Sequence, residues 1–145
     1  PAGLRLRALR PTDRDTLLAL DAAATGAGRA ALLDAILSAG MPALVAEDAG
    51  GALGYALLRP AGRGVTVGPL VARDEQVAIA LATAALDQVE GLARLDVPAA
   101  ATALVAALES RGLVVVDRVT AMLRGPAPAV RGDVQRFGLA SQAFG

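Results

Sequence analysis

Proton-transfer chemistry in this chain has few side chains to draw on. The sequence holds no Cys, His, Lys, Trp or Asn. That removes thiolate and Ser-His-Asp nucleophiles, lysine Schiff bases, disulfides and the usual His/Cys zinc or iron sites. Acid and base roles fall to Asp, Glu, the single Tyr55, the amino terminus at Pro1, or water held by the backbone. Asp96 is the lone acid within the short apolar run 93–98. Burial there would raise its pKa toward a general-base value. The competing reading is an ion pair with Arg94, Arg118 or Arg124, or a bond to a nearby backbone amide. Glu47, at a strand end, is either a base or a solvated hairpin charge. Tyr55 is either a proton donor or a packing residue with its hydroxyl satisfied.

Anion chemistry has a clearer address. All 14 basic residues are Arg, whose planar donors suit fixed carboxylate or phosphate contacts and carry protons poorly near neutral pH. The stretch 64–86, GVTVGPLVARDEQVAIALATAAL, reads as a buried strand turning into a long helix. Pro69 cannot donate a ladder hydrogen bond, so the strand is expected to bulge or splay around Gly68 and Pro69 and leave backbone groups free for a ligand. Beyond it, Ala78, Leu81, Ala82, Ala85 and Val89 recur at helical spacing over residues 74–90. The unpaired N–H groups of that helix start face outward beside Arg73, a geometry that favours a phosphate.

The other elements follow in order. Residues 4–11 alternate as a half-buried strand stopped by Pro11. Thr12 offers a helix N-cap, with Asp13 and Asp15 in the first turn, and the helix breaks at Thr25 and Gly26. A second helix over 28–39 presents Ala31, Leu32, Ala35 and Ile36 and ends at Gly40. Strands 43–47 and 52–59 flank the turn Asp48-Ala49-Gly50-Gly51. After the organising stretch come a short strand at 93–98 and a helix at 99–110 with Ala101, Leu104, Val105 and Leu108 on one face. A closing strand pair is expected at 113–117 and 119–124, then a short helix over 133–143 docking Phe137 and Phe144.

The length, 145 residues, suits one domain, 1–145. Net charge is zero and the Arg residues are dispersed, which gives no footprint for nucleic acid or an anionic membrane. Neither a membrane span nor a signal peptide is evident, so a soluble cytoplasmic protein is expected. Pro1 is what removal of an initiating Met, or a cut boundary, would leave.

The loop Arg73-Asp74-Glu75-Gln76-Val77-Ala78 resembles motif A of the GNAT superfamily of acyl-CoA N-acyltransferases, an Arg/Gln-x-x-Gly-x-Gly/Ala loop that cradles the CoA pyrophosphate. Arg73 and Ala78 match, and Gln76 stands at the first glycine. The element order, the start Leu6-Arg7-Ala8-Leu9-Arg10-Pro11-Thr12-Asp13 and the pair Gly112-Leu113 extend the resemblance over nearly the whole chain. DAAATGAGR (21–29), GPLVA (68–72), LDVP (95–98) and RVTAMLRG (118–125) look like the C-terminal domain of tandem-GNAT proteins.

The resemblance implies an α/β (α+β) fold with a mixed, mostly antiparallel sheet splayed at its fourth strand and flanked by helices. It implies acetyl-CoA or another acyl-CoA as co-substrate, held by Leu70, Val71, Ala72, Arg73, Gln76, Val77, Ala78 and Ile79, with no metal. Backbone groups of Leu70 to Ala72 would hold the thioester carbonyl during direct transfer to a small amine. Asp21, Thr25 and Arg29 fall on the acceptor wall, where Arg29 would hold a substrate carboxylate, the competing reading being a surface pair of Arg29 with Asp34 or Asp21, and the strand carrying Asp96 borders the cleft. Family spacing puts the usual Tyr at Leu108 and the usual Asn at Ala101. The alternative is a catalytically silent GNAT-fold module that binds a ligand, a partner GNAT domain or its own copy.

Overall fold

The computed structural model describes residues 3–130 and 132–143. The Pro1 amine and Phe144 lie outside them. Elements run β1 (Arg5–Ala8), α1 (Arg14–Thr25), α2 (Ala30–Ser38), β2 (Ala43–Asp48), β3 (Gly51–Ala61), β4 (Gly64–Ala72), α3 (Glu75–Leu86), β5 (Ala93–Arg94), α4 (Thr102–Ser110) and β6 (Gln135–Gly138). The sheet is six-stranded, ordered β1-β2-β3-β4-β5, with β6 also pairing β4. Among the described residues only β4 and β5 are parallel, over Val65–Ala93 and Thr66–Arg94. This is the mixed, mostly antiparallel α/β sheet that the sequence implies.

Period-two alternation assigns the two faces. Leu44, Ala46, Ala56 and Leu58 turn toward α3 and α4 and pack on Val77, Ala78, Leu81, Ala82, Ala85, Leu104 and Leu108. Tyr55, Leu57 and Val71 turn the other way, against Leu17, Ala24, Leu33 and Ile36 of α1 and α2. The bulge expected near Pro69 is present: Leu58 pairs with Val67 and Ala56 with Leu70, so β4 carries one extra residue. The extra residue resets parity, which is why both Val67 and Leu70 reach the α3/α4 side.

Several local expectations are corrected. Asp13, not Thr12, is the N-cap residue of α1, and its carboxylate closes the preceding 3-10 turn, Pro11–Asp13, by accepting from the Arg10 N–H at 2.7 Å. On α2 the buried residues are Leu33 and Ile36, while Ala31 and Ala35 face solvent, because the longer branched side chains gain more by burial. Helix α3 ends at Leu86, and Gln88 and Val89 continue only as i→i−3 turns.

The largest correction is at the carboxyl end. Residues 113–124 form no strand pair, and 133–143 form no helix. Instead β6 lies antiparallel on β4, with Leu70 opposite Gly138, Val71 opposite Arg136 and Ala72 opposite Gln135. Beyond it the Leu139 N–H donates to the Asp96 carbonyl at 2.9 Å. The tail therefore runs between β4 and the chain following β5. A buried strand edge must find partners for its donors and acceptors, and this demand outweighs helix propensity in a segment containing Gly138. With that edge taken, a hairpin at 113–124 would stand alone, and an isolated two-stranded hairpin is at best marginal.

Close strand packing leaves no room at Gly54, where a Cβ would sit 2.4 Å from the Val71 carbonyl oxygen and 2.8 Å from Ala72 Cα. Gly54→Ala should lower unfolding free energy by about 1–3 kcal/mol. A urea titration reads it, and an unchanged midpoint contradicts this β3–β4 packing.

Candidate functional site

The region that the sequence marks as an anion and thioester site lies where β4 leaves β5 and α3 begins. The strands part after Thr66, and the opening is filled by β6. Leu70, Val71 and Ala72 are fully buried, and their outer edge pairs with Gly138, Arg136 and Gln135. A Cβ on Gly68 would lie 2.1 Å from the Leu139 carbonyl oxygen, so the tail backbone rests directly on that glycine.

The helix starts beside the opening are occupied as well. Asp74 is the N-cap of α3, with Oδ1 accepting from the Val77 N–H at 2.9 Å. That bond, with the Arg73 guanidinium as a smaller contribution, holds the Asp74 carboxyl below its ordinary pKa. Glu75 reaches across to α4, its Oε1 accepting from the N–H groups of Ala103 at 3.1 Å and Leu104 at 3.3 Å. Helix N-termini attract anions, and here the anions are the chain's own carboxylates. Arg73 is exposed and sits between Asp74, 3.1 Å away, and Asp48, 3.7 Å away. Gln76 points to solvent and stays out of the opening. Val77 and Ala78 are buried in the core and Ile79 packs against it.

Three expected site residues converge on the opposite face of the sheet. Asp21, 1 % exposed, accepts a 2.5 Å hydrogen bond from the Tyr55 hydroxyl and a two-pronged contact from Arg29 at 2.6 and 2.9 Å. Burial is the main cause that pushes the Tyr55 phenol above its ordinary value, and Asp21 adds to it. The phenol therefore stays protonated through neutral pH. Arg136 of β6 stands nearby, its pKa lowered by burial and then by the charge of Arg29, and its Nε is buried without a hydrogen-bond partner. The Thr25 hydroxyl lies 2.8 Å from the Asp21 carbonyl oxygen and closes the end of α1.

The two candidate bases are each paired. Asp96 accepts from Arg94 at 2.8 Å, selecting Arg94 from the three Arg partners that the sequence allowed. Glu47 is bound by Arg7 at 2.9 Å, and Arg7 also grips Asp13 at 2.6 Å. Leu108 and Ala101 are buried in the α3/α4 core. No group of three or more His, Cys, Asp or Glu that could hold a metal occurs among the described residues. No helix among them is long and apolar enough to cross a membrane.

Sequence reasoning did not find Asp74 as a cap, Glu75 as a clamp on α4, or Arg136. An Asp just ahead of a helical apolar stripe was signal enough for the first. The other two depend on tertiary placement.

A central sheet with one parallel pair, helices on both faces and a bulged fourth strand feeding a helix defines the acyltransferase-type α/β class. A family profile described as an acetyltransferase (GNAT) domain matches residues 17–136, and the chain belongs to that family. Acetyl-CoA is the co-substrate of the family. Among solved structures, a GNAT family N-acetyltransferase (YhbS) from Escherichia coli in complex with CoA is 26 % identical, with a TM-score of 0.52 over 60 % of this chain and 57 % of that one. The chain thus spans little more than half of that protein. A GNAT family acetyltransferase from Brucella melitensis in complex with acetyl-CoA is 24 % identical, with a TM-score of 0.51 over 59 % and 67 % of the two chains. A point mutant of TTHA1254 from Thermus thermophilus is 21 % identical, with a TM-score of 0.59 over 85 % and 98 %. These last two speak to the fold alone. No curated protein sequence matches the chain.

These contacts set three stability differences. Asp21→Asn leaves Arg29 and Arg136 without their shared counter-charge and should cost about 3–5 kcal/mol. In Tyr55→Phe the alkaline arm of the stability profile should flatten. The raised folded-state pKa makes the contribution of Tyr55 full below about pH 10 and lost above it, where only the unfolded chain ionises. Asp74→Ala should cost about 0.5–2 kcal/mol at pH 7. Because its folded-state pKa is depressed, that difference should shrink as the pH falls through and below about 4. Urea titrations across pH measure all three.

Proposed function

We propose that this chain is a GNAT-fold module that does not carry out acetyl transfer itself and acts through association with a partner. The observation that carries the reading is β6 on the outer edge of β4 from Leu70 to Ala72. That backbone is where the resemblance puts the thioester and its arm. The carboxylates of Asp74 and Glu75 at two neighbouring helix starts support it independently. Their charges would remain beside any entering phosphate even if β6 left, and like charges at short range repel, though solvent reaching these partly exposed groups moderates the effect. Both candidate bases are ion-paired and the only phenol is a buried donor to Asp21. The strings that resemble the C-terminal half of tandem proteins suit a domain that works beside another.

A second reading has its own support. The chain is a member of an acetyltransferase family, and β6 holds β4 through only three paired positions. On this reading the domain is an acetyl-CoA-dependent N-acyltransferase acting on a small amine by direct transfer once β6 is displaced. Arg73 would take the pyrophosphate, Asp96 would accept the proton, and Asp21, Thr25 and Arg29 would face the amine.

Thermal denaturation with acetyl-CoA separates the two. A ligand at one hundred times its dissociation constant adds about 2.7 kcal/mol, a shift of several degrees for a domain of this size. The silent module predicts no shift at about 1 mM, either for the natural chain or for Gly138→Val. In that variant a Cβ would start 2.9 Å from Leu70 Cβ and loosen β6. A clear shift in either overturns it. The enzyme reading then requires Arg73→Ala to weaken binding and Asp96→Asn to lower turnover with binding intact.

A further inference from the structure

Strand β6 carries one cation that the rest of the fold does not answer. Arg136 stands opposite Val71 in the β4–β6 register, on the sheet face that bears Tyr55 and packs against α1 and α2. Four Arg residues are half-buried among those described: Arg7, Arg29, Arg59 and Arg136. Three of them are held by the protein. Arg7 binds Asp13 and Glu47, Arg29 binds Asp21, and the Arg59 Nε donates to the Ala140 carbonyl at 2.7 Å. Arg136 makes no ion pair among the described residues, and its Nε–H is buried with no acceptor. An unpaired donor on a buried charged group is costly, so Arg136 points to an acceptor that the fold itself does not supply.

The surroundings define that acceptor. Asp21, the carboxylate of this cluster, is already engaged: Oδ1 takes the Tyr55 hydroxyl and an Arg29 Nη, and Oδ2 takes the Arg29 Nε. With the phenol neutral, two guanidiniums face one carboxylate, and one positive charge stays uncompensated. Burial, and then the charge of Arg29, pull the Arg136 guanidinium below its ordinary pKa, with Asp21 opposing them as a smaller effect. One negative charge balances the cluster, whereas a dianion would place a surplus charge beside Asp21. The guanidinium edge formed by Nε and one Nη takes a carboxylate in two prongs. Arg29 binds Asp21 through that same edge, at 2.9 and 2.6 Å. The turn joining α1 to α2, between Asp21 and Arg29 in the chain, carries a surface recess of about 290 Å³ lined by the small residues Ala22, Gly26, Ala27, Gly28 and Ala129.

We propose that Arg136 is a ligand-binding residue that takes the carboxylate of a small organic acid between α1 and β6, with Arg29 contributing charge and Asp21 holding Arg29 in place. The resemblance put a substrate carboxylate on Arg29; the folded chain gives Arg29 to Asp21 and leaves Arg136 for the ligand. The site lies on the other face of the sheet from the starts of α3 and α4. It therefore stands or falls independently of whether acetyl-CoA enters at β4.

Titration of the isotope-labelled full chain with sodium acetate tests it, with the Arg Nε–H signals followed by NMR against sodium chloride at equal ionic strength. The Arg136 signal, assigned by its loss in Arg136→Met, should move saturably, with half-saturation at about 1–10 mM for so small an acid. Arg136→Lys keeps the charge without the fork and should bind acetate several-fold more weakly. Movement that only tracks ionic strength, or saturation by sodium phosphate at or below the acetate concentration, overturns the inference. Thermal melts separate binding from a structural role. Without acetate, Arg136→Met should melt at or above the natural chain, because it keeps a packing stem and sheds an unpaired charge. Acetate should then raise the melting temperature of the natural chain by about 2 degrees or more beyond its effect on Arg136→Met. A variant that melts well below the natural chain, or that responds equally to acetate, marks Arg136 as a structural cation and overturns the inference.

Discussion

One constraint shapes this molecule: the outer edge of β4 cannot be left bare inside the protein. Its bulge turns Leu70 to Ala72 away from β5, and each buried N–H or C=O left without a partner there costs about 1–3 kcal/mol. In the sheet's lower half β5 supplies the partners, over two residues. In the upper half β6 does so, and Gly138 is small enough to lie within 2.9 Å of Leu70 Cβ, measured from its ideal Cβ position. The same edge would welcome an extended amide-bearing ligand. A protein that meets the demand with its own tail has placed a competitor of very high local concentration in that groove.

Electrostatics acts in the same direction. The starts of α3 and α4 would otherwise present unpaired donors on a positive dipole end toward the opening. Asp74 and Glu75, adjacent in sequence, each satisfy a different helix, so two neighbouring residues fasten α3 and tie it to α4. Arg73, the cation that an anionic ligand would use, is flanked by Asp48 and Asp74. With Glu75 beside them, one cation faces three carboxylates, and the local charge is net negative with no ligand present. Partial exposure of these groups makes the pairings individually weak; their effect on a ligand comes from several small terms with one sign.

The sequence made the sheet legible where periodicity is strong. Alternation in β2 and β3, the Gly68-Pro69 interruption and the α3 stripe each correspond to an element or bulge in place. It failed where the outcome depended on competition between segments. LVVVD and VTAML have better strand composition than QRFG, yet QRFG is the one in the sheet. Local propensity ranks segments against water, while the fold ranks them against one another for a single edge. At the site, the sequence marked Asp21, Arg29 and Tyr55 and allowed a pair of Arg29 with Asp21 or Asp34, and what it did not reveal is that the pair is buried and shares its carboxylate with the Tyr55 hydroxyl. A carboxylate on α1, a guanidinium ahead of α2 and a phenol in β3 meet only once both helices cross the sheet. Asp96 and Glu47 were legible as carboxylates, and their partners were settled by which Arg the folded chain brings within reach.

The two features at the carboxyl end have one cause. If 113–124 lay on the sheet and the tail were free, the exposed aliphatics would be covered and the β4 opening would be available. With the tail inserted, Leu139 reaches the Asp96 carbonyl, the remaining edge of the sheet is the short outer side of β5, and the better strand formers are left in solvent. A two-residue strand gives too little ladder to recruit both runs, 113–116 and 119–123, against the entropy of ordering them. Closure of the groove and exposure of those runs are therefore joint consequences of one choice, namely which segment of the carboxyl end occupies the sheet.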